Sequence, residues 1–148
     1  MDEQKILREY NYLTQKLKRK CGSRYMWSDV LTACGREVIG PSFKGCFPRD
    51  QIDYSSLRSG QTALVNTQPA DSHGEHWCGV GCDSNNRIVV YDSFGRPGAG
   101  LLHIRGRGLR VVDTDLDAEQ QPVETDCGPR SLAWCVIFSQ DENAAMLI

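Results

Sequence analysis

The chain has 148 residues, 40% of them hydrophobic and 24% charged. That fits one soluble globular domain with a core of ordinary size and argues against a disordered chain. No apolar run approaches the roughly 18 residues of a membrane helix, and the charged start "MDEQKILREY" lacks the apolar centre of a signal peptide. The net charge of −2 hides an asymmetry: residues 1–50 carry ten Lys and Arg against six Asp and Glu, residues 51–148 seven against thirteen.

In chain order, Ile6, Tyr10, Leu13 and Leu17 recur at helical spacing and predict an amphipathic helix over 1–20. Its basic end, "KLKRK" (Lys16–Lys20), reads as a last turn favoured by the macrodipole, or as a patch for phosphate or an acidic partner. Cys21-Gly22 is a stop signal. Ser28 caps a second short helix over "DVLTACGREV", with Asp29 in its first turn. "GPSFKGCFPRDQID" reads as a loop anchored by Phe43 and Phe47. "TALVNTQ" (Thr62–Gln68) is a strand and "PADSHGE" a polar connector. His76–Asp83 and Arg87–Phe94 flank "SNN" as the two strands of a hairpin. "GRPGAG" breaks the chain, a strand is placed at Leu109–Asp113, and "LDAEQQPVE" is an acidic loop. A last helix runs from Cys127 to about Ser139. Helix, strands, then helix, with no repeat and no linker, is the order of a single α+β domain over 1–148.

Seven cysteines occur: Cys21, Cys34, Cys46, Cys78, Cys82, Cys127 and Cys135. An odd count without a signal peptide predicts free thiols in a reducing compartment. No pair has C-x-x-C spacing. Cys78 and Cys82 share a strand face and read as small hydrophobes.

The chemistry begins in the hairpin. Alternation puts His76, Cys78, Val80 and Cys82 on one face, and Ile88, Val90, Asp92 and Phe94 on the matching face of the partner. A turn centred near Ser84 pairs 80 with 88, 78 with 90 and 76 with 92, setting Asp92 about 5 Å from His76 between Cβ atoms. A carboxylate there fixes the imidazole tautomer and stabilises the imidazolium. An ordinary surface pair on a sheet is the bland alternative.

Downstream, "QPVETDCGPRSLAWC" (Gln121–Cys135) puts Cys127 at a helix mouth. Asp126 or Thr125 can cap that helix, and Pro129 suits its first turn. The positive end of a helix dipole favours a thiolate and offers backbone N–H groups to an anion. Gly128 leaves room for a substrate backbone. A buried structural thiol is the bland alternative; Cys135 fits it, whereas Cys127 follows polar residues outside the apolar run. Cysteine, histidine and carboxylate then make nucleophile, base and orienter. Gln121 or Gln120 can aim an amide at a developing oxyanion, with the Cys127 N–H.

"GEHW", a hairpin, "YDSFG" and "QPVETDCG", in that order over about 64–138, resemble the adenovirus-type (adenain-like) and SUMO-protease-like cysteine peptidases. "FKGCFPRDQI" (Phe43–Ile52) is similar to a segment of their viral and transposon-borne members. The resemblance implies a central mixed β-sheet flanked by helices, with the catalytic cysteine at the N-terminus of a buried helix, a papain-like site arrangement, and a catalytic core over 62–138. It implies His76 as base, Asp92 as orienter, Cys127 as nucleophile, Gln121 as oxyanion donor in preference to Gln120, and Trp77 as a wall of the site. It implies a peptidase that cleaves near Gly, acts on a viral capsid or core precursor, and works as a monomer in the host cytoplasm, nucleus or virion, not in secretions. Adenovirus enzymes carry Glu where Asp92 stands, and only 21 residues follow Cys127, a short tail for the group. Those enzymes use DNA and a viral peptide as activators; the acidic chain gives little support for DNA, and no residue argues for the peptide. A processing enzyme or isopeptidase for ubiquitin-like proteins is the alternative within the same chemistry. A binding module on a degenerate protease fold is the non-enzymatic one.

No cofactor and no metal are expected. Asp113, Asp115, Asp117, Glu119, Gln121 and Glu124 fall at calcium-loop positions, but Ala118 replaces the required Gly and Pro122 interrupts. His73 reads as a solvated turn residue and His103 as a strand residue. Zinc on His76, Cys78 and Cys82 fails, because side chains four apart on a strand diverge by about 13 Å.

Overall fold

A computed structural model describes residues 2–21, 28–72, 76–121 and 125–148. Gly22, His73, Gly74, Glu75, Pro122, Val123 and Glu124, on which parts of the reading above fall, lie outside them. Helix α1 (Glu3–Cys21) turns Ile6, Tyr10 and Leu17 into the core and leaves Leu13 half-buried. Helix α2 (Ser28–Val38) follows. Strands β1 (Phe43–Pro48), β2 (Thr62–Asn66), β3 (Trp77–Cys82), β4 (Ile88–Tyr91) and β5 (Val111–Asp113) form one mixed sheet in that order. The two outer pairs are parallel, the two inner pairs antiparallel. A short helix α3 (Gly98–Leu101) precedes β5, and α4 (Cys127–Gln140) and α5 (Glu142–Ala145) close the chain. The α+β class and the mixed sheet flanked by helices thus stand.

The alternation of β3 builds both faces. Gly79 and Gly81 lie under Trp134 and Phe138 of α4, where a Cβ would come within 2.7 Å of either ring. Only glycine lets the helix sit this close to the sheet. Trp134 is fully buried, stacks on Tyr91, and donates its indole N–H to Ala145 O at 3.0 Å. The even positions Cys78, Val80 and Cys82 face the other way, into a second core with Ile88, Val90 and Leu102. From Gly128 to Phe138 every residue of α4 is buried. A helix buried on every side belongs inside a fold, so its N-terminus is held in place.

Four expectations change. The segment read as a loop at Phe43 is the edge strand β1; its Gly45, at φ +120, sits where the pairing register shifts, and an edge tolerates the Gly and the terminal Pro48. The hairpin register moves by two residues: Cys82 pairs with Ile88 and Val80 with Val90. Asp83 causes this, accepting from the Asn85 and Arg87 amides at 3.0 and 2.8 Å and centring the turn on Asn85, not Ser84. His103 is no strand residue but a left-handed turn position, at φ 54. Cys21 and Cys34 are joined as a disulfide, against the expectation of free thiols; their spacing of thirteen carries no short-motif signal. Among the described residues no helix is long and apolar enough to cross a membrane.

Candidate active site

The site lies where β3 begins and β4 ends, beside the N-terminus of α4. His76 immediately precedes β3 and its carbonyl accepts from the Thr67 amide at 2.9 Å, which ties it to the end of β2. Asp92 immediately follows β4. Their side chains are buried, and His76 Nε2 lies 2.5 Å from Asp92 Oδ1. The two-residue register shift keeps both on one face, since a shift of two preserves side-chain parity.

Arg96 completes the carboxylate. Its amide and its Nε donate to Asp92 Oδ2 at 3.0 and 2.8 Å, and one terminal nitrogen reaches Oδ1 at 3.4 Å. The guanidinium also lies 5.1 Å over the Phe94 ring, and Phe94 stacks on the His76 imidazole at 5.0 Å between centroids. Alternation already puts Phe94 on the Asp92 face; the Arg96 contact carries no such signal, because Arg96 sits in the "GRPGAG" break. Burial pushes the Asp92 carboxyl up, but the bonds from His76 and Arg96 outweigh it and hold it below the usual carboxylate range. Burial pushes the His76 imidazole down; Asp92, Cys127 and Cys78 outweigh it and hold it well above its ordinary value.

Cys127 opens α4. It is half-buried, and its thiol lies close enough to the His76 imidazole to help raise it. Asp126 is the N-cap by position, yet it makes no side-chain capping bond. Its carboxylate is drawn instead between Lys18 of α1, at 3.3 Å, and Arg130 of α4, at 2.9 Å. That anchors the residue before Cys127 to both helices.

The remaining predicted positions separate. Gly128 is buried. Trp77 is half-buried against the α4 side of the sheet, and its carbonyl accepts from Ser131 Oγ at 2.9 Å. Gln121 is exposed. Gln120 is buried; its side-chain Oε1 accepts from Ser93 Oγ at 2.5 Å and its backbone N–H donates to Ser93 O at 3.0 Å. Ser93 is the neighbour of Asp92, so Gln120 is tied to the carboxylate end of the site. No protein-family model and no curated protein matches the chain.

Behind these groups lies a polar cluster that the sequence did not announce. The Tyr10 and Tyr91 hydroxyls hydrogen-bond each other, and Glu119 and Arg130 interact with them. Burial, opposed by a hydrogen bond from Tyr91 and reinforced by Asp115 and Asp117, pushes Glu119 up to about 8.

Proposed function

We propose that the chain is a cysteine endopeptidase, of the kind that the adenovirus-type and SUMO-protease-like enzymes exemplify. One observation carries the reading: a buried imidazole is held on a carboxylate through Nε2 while a thiol at a helix N-terminus meets the same ring. His76 takes the Cys127 proton, or keeps it in a preformed ion pair. The sulfur attacks the scissile carbonyl carbon and the carbonyl electrons move to oxygen. The Cys127 N–H and a side-chain amide receive that charge. Collapse of the tetrahedral intermediate breaks the C–N bond, and His76 protonates the leaving amine. Water, deprotonated by His76, then hydrolyses the thioester and returns the thiol.

Asp92 has the orienting role, with its charge kept by Arg96. For the oxyanion amide we place Gln120 ahead of Gln121, because a donor preorganised for a transition state must be fixed beforehand and Gln120 is the buried, anchored one. The substrate is a protein, a capsid or core precursor, cut near Gly. Cys127→Ala abolishes cleavage of Gly-containing precursors in co-expression, read by mass spectrometry, while circular dichroism stays that of the parent. Cleavage retained by that variant ends the assignment.

A further inference from the structure

The hairpin register brings a second thiol to the catalytic pair. Continuing the pairing one step past Gly79 and Tyr91 sets Cys78 opposite Asp92, and Cys78 Sγ lies 3.8 Å from Asp92 Oδ1. His76, Cys78 and Asp92 are all buried, and one donor atom from each lies within 4.8 Å of the others. The zinc set set aside from the sequence used Cys82; Asp92 takes that place here, and the separation objection does not apply to it.

We propose that His76, Cys78 and Asp92 form a Zn2+ site that switches the catalytic pair off. Sulfur, imidazole nitrogen and carboxylate oxygen together suit zinc; a thiol excludes calcium and magnesium, which take oxygen. Zinc bonds of about 2.0–2.3 Å in tetrahedral geometry need donors about 3.3–3.6 Å apart. The Cys78–Asp92 spacing is already near that. The His76–Asp92 contact must open by about 1 Å, so the metal takes the place of the hydrogen shared between imidazole and carboxylate. Cys78 gives its thiol proton, and His76 the proton on Nε2, to the buffer as the Zn–S and Zn–N bonds form. Arg96 keeps its two bonds to Oδ2, leaving Oδ1 to the metal. The fourth position falls to water. The imidazole so held no longer exchanges a proton with Cys127.

The inhibitory half rests on the peptidase reading; the binding half does not, and the test separates them. The Cys127→Ala chain, titrated with Co2+ as a spectroscopic stand-in, develops a thiolate-to-cobalt charge-transfer band at one equivalent. The band is lost in Cys127→Ala/Cys78→Ser and weakened at least tenfold in apparent affinity in Cys127→Ala/Asp92→Asn, with thermal melts confirming that each variant is folded. No band in Cys127→Ala, or an undiminished band in the Cys78→Ser double variant, overturns the site. With peptidase activity in hand, Zn2+ inhibits the parent at a concentration at least tenfold below that needed for Cys78→Ser, each measured against its own metal-free rate. Equal inhibition of both overturns the switch. A cobalt band in a chain without peptidase activity leaves the site standing and removes the peptidase reading instead.

Discussion

Arg96 and His76 hold opposite oxygens of Asp92: the guanidinium Nε lies 2.8 Å from Oδ2 and the imidazole Nε2 2.5 Å from Oδ1. The carboxylate is fixed from both sides, so its orientation toward His76 does not depend on the imidazole alone. The Arg96 side chain is 46% exposed, which discounts the pair for solvent screening. Arg96→Gln is expected to lower kcat/KM by about tenfold, mostly in kcat, with partial recovery in Arg96→Lys. Steady-state kinetics on a cleavable peptide check this; an unchanged kcat in Arg96→Gln contradicts it.

The His76–Asp92 pair also has a pH signature. His76 is raised in the folded chain, so its contribution is full below the unfolded value of about 6.5 and declines as pH rises toward the folded one. Asp92 is lowered, so its contribution is full above about 3.9 and is lost as pH falls toward its folded value. Both are complete only between about pH 4 and 6.5. Asp92→Asn is expected to cost about 3 kcal/mol there, with the gap narrowing toward pH 9. Urea unfolding of both proteins across that range tests the window, and a gap that widens at high pH contradicts it.

The two glutamines give a third test. Loss of an oxyanion donor costs about a hundredfold to a thousandfold in kcat. Gln120→Ala is expected to show that loss and Gln121→Ala a change of a few-fold at most. The reverse order restores the choice made from spacing.

Packing supplies a fourth. An alanine Cβ at Gly79 would lie 2.7 Å from Trp134 and 3.3 Å from the Ser131 carbonyl, whereas one at Gly100 meets nothing within 4 Å. Gly79→Ala is expected to destabilise by about 1–3 kcal/mol, and Gly100→Ala to be neutral or slightly stabilising. Equal denaturant midpoints for the two variants would argue against the close seat of α4 on the sheet.

How much of this was legible depends on the type of signal. The stripe Ile6–Tyr10–Leu17 and the apolar run after Cys127 announce α1 and α4, because period and burial are written into single segments. The hairpin faces were legible too, since alternation survives a two-residue slip. The register was not: "SNN" permits several centres, and the Asp83 side chain decides among them. Strand β1 was hidden because Gly45 and Pro48 argue against a strand until its place at the sheet edge is known. Alternation already puts Phe94 on the Asp92 face, whereas Arg96 and Ser93 reach the site through the loop that follows β4, which no periodicity describes. Gln120 and Gln121 are adjacent and chemically equal, so only burial separates them.

The central claim is that His76 activates Cys127. It is tested most directly by the rate at which iodoacetamide alkylates Cys127 at neutral pH, resolved by peptide mass spectrometry, in the parent and in His76→Ala. Cys21 cannot serve as the reference, being disulfide-bonded, and Cys135 is buried; the same cysteine without its imidazole is the fair comparison. The parent is expected to react at least about tenfold faster, the effect of an ion-pairing imidazole on a thiol. Equal rates in two folded proteins would leave Cys127 an ordinary half-buried thiol and contradict the account.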